Sequence, residues 1–187
     1  MIFRIQSYLQ FLWHSKNEHG VHSPFVFLLL TQGLYNKKLR LTANDLSNQN
    51  ERISKKQQLL YKIIRYFEPK SILTIGANPF EKEIIALGNP KATIDIEIDI
   101  DIAIYNCIYI HSQEFQFITN ERIEQLLNTT ENDSFWIVEN IHANAGAEAL
   151  WQTLKQNPKV TVTIDTYHFG LVFFRKEQVE EHFILRA

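Results

Sequence analysis

Glycine is scarce in this chain of 187 residues, which has six. Only Gly76 stands in the loop Gly76-Ala-Asn-Pro-Phe80, where a nucleotide-binding protein keeps a glycine-rich turn. Pro79 brings no N–H for a ligand, and Phe80 is bulky where backbone must come close. Cysteine is scarcer still. The single Cys107 excludes an internal disulfide and a cysteine-cluster metal site, and its neighbours Ile104, Ile108 and Ile110 mark a buried thiol rather than a nucleophile. Positive charge is not in excess, with 19 Lys and Arg against 21 Asp and Glu, which excludes the basic stripe of a nucleic-acid surface. Lys37-Lys38 and Lys55-Lys56 are isolated pairs on solvated faces. No eighteen apolar residues run together, so no membrane span is expected. Ile2–Trp13, interrupted by Arg4, Gln6, Ser7 and Gln10, lacks the apolar core and cleavage site of an export signal. The expectation is a cytoplasmic protein with neither a nucleic-acid nor a membrane partner.

What is present is an ordinary globular composition, 45% hydrophobic and 21% charged. The length predicts one domain over 1–187, with a helical part at 1–67 and an α/β core at 70–187. Ile2, Ile5, Leu9, Leu12 and Trp13 fall at helical spacing. Ser23-Pro24 opens a second helix, Phe25 to about Tyr35, whose nearly all-round apolar run predicts burial. A polar loop, Asn36–Asn50, precedes a third helix at Glu51–Phe67, stopped by Pro69. Strand Ser71–Ile75 follows, and then a helix over Pro79–Leu87 with Asn78 as its cap. Further helices are predicted at Thr119–Leu127 and Ala145–Gln156, with a buried strand at Ser134–Val138 between them. Val160–Ile164 and Leu171–Phe174 form a hairpin, and His182–Arg186 adds a last strand. Strands alternating with helices, closed by an antiparallel hairpin, make the fold class α/β.

Ala92–Ile110 alternates strictly, with Ile94, Ile96, Ile98, Ile100 and Ile102 against Asp95, Glu97, Asp99 and Asp101. Alternation predicts a strand with one wet, acidic face. Its length requires two strands with a turn near Asp99–Ala103. The carboxylates diverge along extended chain, so a shared cation site is the weaker reading.

Two segments carry a resemblance. His19-Gly-Val-His-Ser-Pro-Phe-Val-Phe27 looks like the N-terminal signature of a bacterial group of class I S-adenosylmethionine-dependent methyltransferases. Ser134–Arg186 is similar to that group's C-terminal third, through Phe135-Trp-Ile-Val-Glu-Asn-Ile-His142, Val160-Thr-Val-Thr-Ile-Asp165 and Gly170-Leu-Val-Phe-Phe-Arg175. The resemblance implies a Rossmann-like sheet with S-adenosylmethionine at the strand ends. It places Thr74, Gly76, Ala77, Asn78 and Glu97 at the cofactor, with Glu97 (or Asp99) on the ribose. His111, Glu139, Asn140 and His142 become the catalytic candidates, all at carboxyl ends of strands. Glu139-Asn140 resembles the Asp-Asn metal pair of catechol-type methyltransferases. The aspartate that would match His111 is absent, so no metal site is assigned.

The departures fall on the functional parts. The acid that ends the family's first strand is missing, its small-residue loop is replaced, and its third strand–helix unit is deleted. The expectation is a reduced, degenerate relative with weak or lost S-adenosylmethionine binding and a scaffold or interaction role. The rival is an active methyltransferase on a small molecule. Two further readings stay open at His19 and His22, which either form part of a lid or hold the N-terminal helices together. Asp165, Tyr167 and His168 lack a nucleophile and are not read as a triad. Loss of the third strand makes the second an edge, guarded by its acids from pairing with a copy of itself. Any homodimer is expected to use the N-terminal helices around Phe3, Tyr8 or Phe11.

Overall fold

The computed structural model describes residues 2–17, 20–96 and 104–187. His19, Glu97 and the turn expected at Asp99–Ala103 lie outside the described residues. The chain divides into two compact units, one of Met1–Lys16, Ser71–Ala77 and Ile94–Arg186, the other of Asn17–Lys70 and Asn78–Thr93 with Ala187. The first helix belongs with the sheet-bearing unit.

Among the described residues the sheet has seven strands: β1 (Ser71–Ile75), β2 (Thr93–Asp95), β3 (Cys107–Ile110), β4 (Phe135–Glu139), β5 (Val162–Asp165), β6 (Phe169–Phe173) and β7 (Glu181–Ile184). Their order is β2-β1-β3-β4-β6-β5-β7. β1, β3 and β4 pair in parallel, as do β5 and β7, while β6 runs against both β4 and β5. The hairpin is thus present, and among the described residues β2 is an edge strand. One face carries Leu73, Ile108, Ile110, Trp136, Val138 and Val172 under helices α5 (Asn120–Leu127) and α6 (Ala145–Lys155). Strands buried on both faces read as continuous apolar runs, as Phe135-Trp-Ile-Val138 does. Gly170 on β6 is a packing necessity, because a Cβ there would lie 2.5 Å from the Trp151 indole.

β2 departs from its expected pattern. Ile96 points outward, and Asp95 is half-buried with Oδ2 out of reach of solvent and without a hydrogen-bond partner. The acid-out, isoleucine-in alternation does not hold here, because β2 is three residues long and its chain leaves the sheet at Ile96.

Helix α1 (Ile2–His14) lies in this unit. Its last carbonyls are tied by Arg186, whose guanidinium donates to Leu12 O at 2.9 Å and to Ser15 Oγ at 2.8 Å. A cation at a helix C-terminus also favours the helix dipole.

The second unit contains α2 (Pro24–Leu28), α3 (Lys55–Phe67) and α4 (Pro79–Gly88). Ser23 caps α2 as predicted, but the chain then widens into a π-helical turn at Leu29–Leu34, closed by Tyr35 N–H to Leu30 O. Phe27 and Leu28 stay exposed, so the run is buried on one side only. α3 starts four residues later than expected because Ser54 and Gln57 close a capping box ahead of Lys55. Glu68 then ends it in the left-handed region. Among the described residues no helix is long and apolar enough to cross a membrane.

Candidate functional site

Parallel strands present their carboxyl ends together, and in α/β folds ligands bind there. At the end of β1, Gly76 turns with φ +74°. The space above it is taken. A Cβ on residue 76 would fall 2.8 Å from Oε1 and 2.9 Å from Cδ of Glu114, and the three nearest atoms all belong to that side chain. Glu114 comes from the 3₁₀ turn Ser112–Phe117 that follows β3.

The other predicted cofactor residues are engaged by the chain itself. The Thr74 hydroxyl, fully buried, donates to Asp95 O at 3.0 Å. Ala77 is buried beside it. In the second unit, Asn78 Oδ1 accepts from Glu81 N–H at 2.9 Å, while Glu81 Oε2 accepts from Asn78 N–H at 3.1 Å. That capping box occupies the Asn78 N–H, and Pro79 has none.

His111 and Glu139 do come together, at the ends of β3 and β4. Gln113 N–H donates to His111 Nδ1 at 3.2 Å, which leaves the proton on Nε2, 3.1 Å from Glu139 Oε2. The same carboxylate oxygen accepts from Ser112 N–H and Ser112 Oγ, each at 3.1 Å. A buried carboxylate holding three donors is a clasp between two strand ends. The other His111 nitrogen, Nδ1, accepts from backbone. Asn140 follows with φ +49°, its N–H bonded to His168 O at 2.8 Å. A cleft of about 380 Å³ opens beside these residues, lined by Ser112, Gln113, Phe115, Gln116, Asn144 and Gly146.

His142 leaves this group. Its Nε2 lies 2.7 Å from Asp165 Oδ2, and its Nδ1 3.3 Å from Glu148 Oε1. Burial, the largest single influence, works against its charge. The hydrogen bonds and charges of Asp165 and Glu148 together outweigh it and hold the imidazole above its ordinary value. Tyr167 stacks on the ring at 5.5 Å, and Tyr167 N–H donates to Asp165 Oδ1 at 2.7 Å. Helix α1 docks on this assembly through Ser7 Oγ to Glu148 at 3.1 Å, Tyr8 against Tyr167, and Phe11 against Tyr167 and His142. His142 therefore ties α1 to the sheet. The sequence reading missed Glu114, Ser112 and Glu148, and it saw Asp165 only in a rejected triad. No local motif pairs His142 with Asp165. Burial removes Cys107 from the chemistry by pushing its thiol far up.

The chain matches no family model and no curated protein. Solved structures do match. The SAH-bound methyltransferase PaMTH1 of Podospora anserina aligns with 71% of this chain and 81% of its own, at 11% identity and a TM-score of 0.52. The SAM complex of the O-methyltransferase TomG from Streptomyces achromogenes aligns with 80% of this chain and 95% of its own, at 13% identity and a TM-score of 0.47. The fold is that of the class I methyltransferases. Likeness at this identity extends to fold alone. At the end of β1, Glu114 lies over Gly76 and the Thr74 hydroxyl is bonded to Asp95 O.

Proposed function

We propose that this protein is a degenerate methyltransferase-like scaffold that does not transfer methyl groups and binds S-adenosylmethionine weakly or not at all. The observation that carries the reading is the Glu114 side chain lying on Gly76. Backbone approach at that glycine is what a strand–turn–helix cofactor site depends on. A charge-assisted hydrogen bond lost from a ligand removes roughly 1.5–3 kcal/mol. With about 1.4 kcal/mol per tenfold in affinity, two such losses take a micromolar site to the millimolar range.

Titration calorimetry with S-adenosylmethionine and S-adenosylhomocysteine tests this directly. The wild-type chain should give no micromolar binding, and Glu114→Ala should gain affinity if the side chain is the main obstruction. Micromolar binding by wild type overturns the proposal.

A small-molecule methyltransferase is the second reading, and the cleft beside Ser112 is the observation in its favour. Its lining of Gln113, Gln116, Asn144 and Phe115 carries no formal charge, so it suits a neutral, hydrogen-bonding acceptor. Transfer of a labelled methyl group to such a compound would establish it.

A further inference from the structure

Helix α1 has two apolar faces. The inner one is occupied, since Ser7 and Phe11 are buried and Tyr8 packs edge-on against Tyr167. The outer one is bare. Ile5, Leu9 and Trp13 are 55%, 61% and 87% exposed and stand at i, i+4 and i+8, a straight stripe along the helix. At 1.5 Å rise per residue the stripe is about 12 Å long. Half of the ten strongly exposed large apolar side chains among the described residues fall on this one helix. Arg186, Ser7 and the Tyr167 contact fix the helix with that stripe outward, so the exposure belongs to the docked state.

Within the helix itself the formal charge is of one sign, although Glu148 meets its inner face at Ser7. Residues 1–17 contain Arg4 and Lys16 and no aspartate or glutamate, in a chain whose net charge is −2. Lys16 is exposed, and Arg186 sits at the same end of the helix. We infer that the outward face of α1 docks on an anionic lipid surface. An interfacial helix needs an apolar stripe, aromatic anchors and cations beside it, and Trp favours the headgroup level. A second copy of the chain suits the face less well. Two-fold pairing would bring Lys16 toward the same cation of the other copy. A strip about 12 Å long on a helix about 10 Å wide covers on the order of 120 Å², short of the roughly 800 Å² per partner that a stable dimer buries. A bilayer has no such minimum, because binding grows with whatever apolar area enters it.

Co-sedimentation with phosphatidylcholine vesicles, with and without phosphatidylserine, tests the inference. Trp136 and Trp151 are buried, so a vesicle-dependent blue shift and loss of aqueous quenching report on Trp13. The full chain should prefer the anionic vesicles by roughly tenfold or more, and added salt should weaken that preference. Leu9→Glu should lower binding by at least about tenfold, and Lys16→Glu should reduce the preference for anionic lipid several-fold. Leu9 is exposed, so an unchanged near-ultraviolet spectrum will show that its variant is folded. Absence of binding to anionic vesicles overturns the inference, as does binding that Leu9→Glu leaves intact. A dimer in solution that Leu9→Glu dissociates assigns the face to a second copy and overturns it equally.

Discussion

Removing the His142 imidazole should loosen α1 and lower stability in a pH-dependent way. The ring is 16% exposed and its main partner Asp165 only 7%, so their contact at 2.7 Å is largely shielded from water. Taking one partner from a buried pair costs about 3–5 kcal/mol, because the other is left buried and uncompensated. Two features argue for the lower end. Glu148 is 39% exposed and can be solvated, and Asp165 Oδ1 keeps the Tyr167 N–H. His142→Ala should therefore cost about 3 kcal/mol, which for a chain of this size lowers Tm by roughly 6–12 °C. The folded imidazole is held above its ordinary value of 6.5. Its charge-linked contribution is thus complete below about pH 6.5 and fades as pH rises through the raised folded value. Thermal melts of wild type and His142→Ala at pH 6 and pH 9 should show the larger gap at pH 6. His142→Gln, which keeps a hydrogen bond without the charge, should remove most of that pH dependence. Hydrogen exchange should show α1 amides losing protection before those of β3 and β4. A Tm change under about 2 °C, or a gap that widens with pH, would refute the reasoning.

Two further substitutions probe the packing and the clasp. Gly170→Ala places a methyl 2.5 Å from a rigid indole, and overpacking of this kind should cost roughly 1–3 kcal/mol, read in melts and in the near-ultraviolet signal of Trp151. Glu139→Ala leaves Ser112 N–H, Ser112 Oγ and His111 Nε2 without their common acceptor, and should cost roughly 2–3 kcal/mol, visibly more than Glu114→Ala, whose side chain is only half-buried.

The sequence alone was sufficient wherever local chemistry governs the backbone. Ser23 before Pro24, Asn78 before Pro79 and Thr119 before Asn120 each cap a helix where a side-chain oxygen could be expected to meet a free N–H. The apolar runs at Ser71–Ile75 and Phe135–Val138 became central strands, and the break at Asp165–Gly170 became the hairpin turn, because strand burial and turn chemistry act over a few residues. The position of β2 at an edge among the described residues agrees with what the resemblance implied from the missing third strand–helix unit. Side-chain direction did not follow. Whether Asp95 or Ile96 faces outward depends on where a three-residue strand leaves its sheet, and alternation is silent on that. The candidate histidines were legible as strand-end residues, yet their partners were not. His142 meets Asp165 across 23 residues of sequence only because β6 runs antiparallel between the strands that bear them. Glu114 reaches Gly76 only because β1 and β3 are parallel neighbours whose ends are brought level. Contacts of that kind are fixed by strand order and register, which are properties of the assembled sheet rather than of any segment in it.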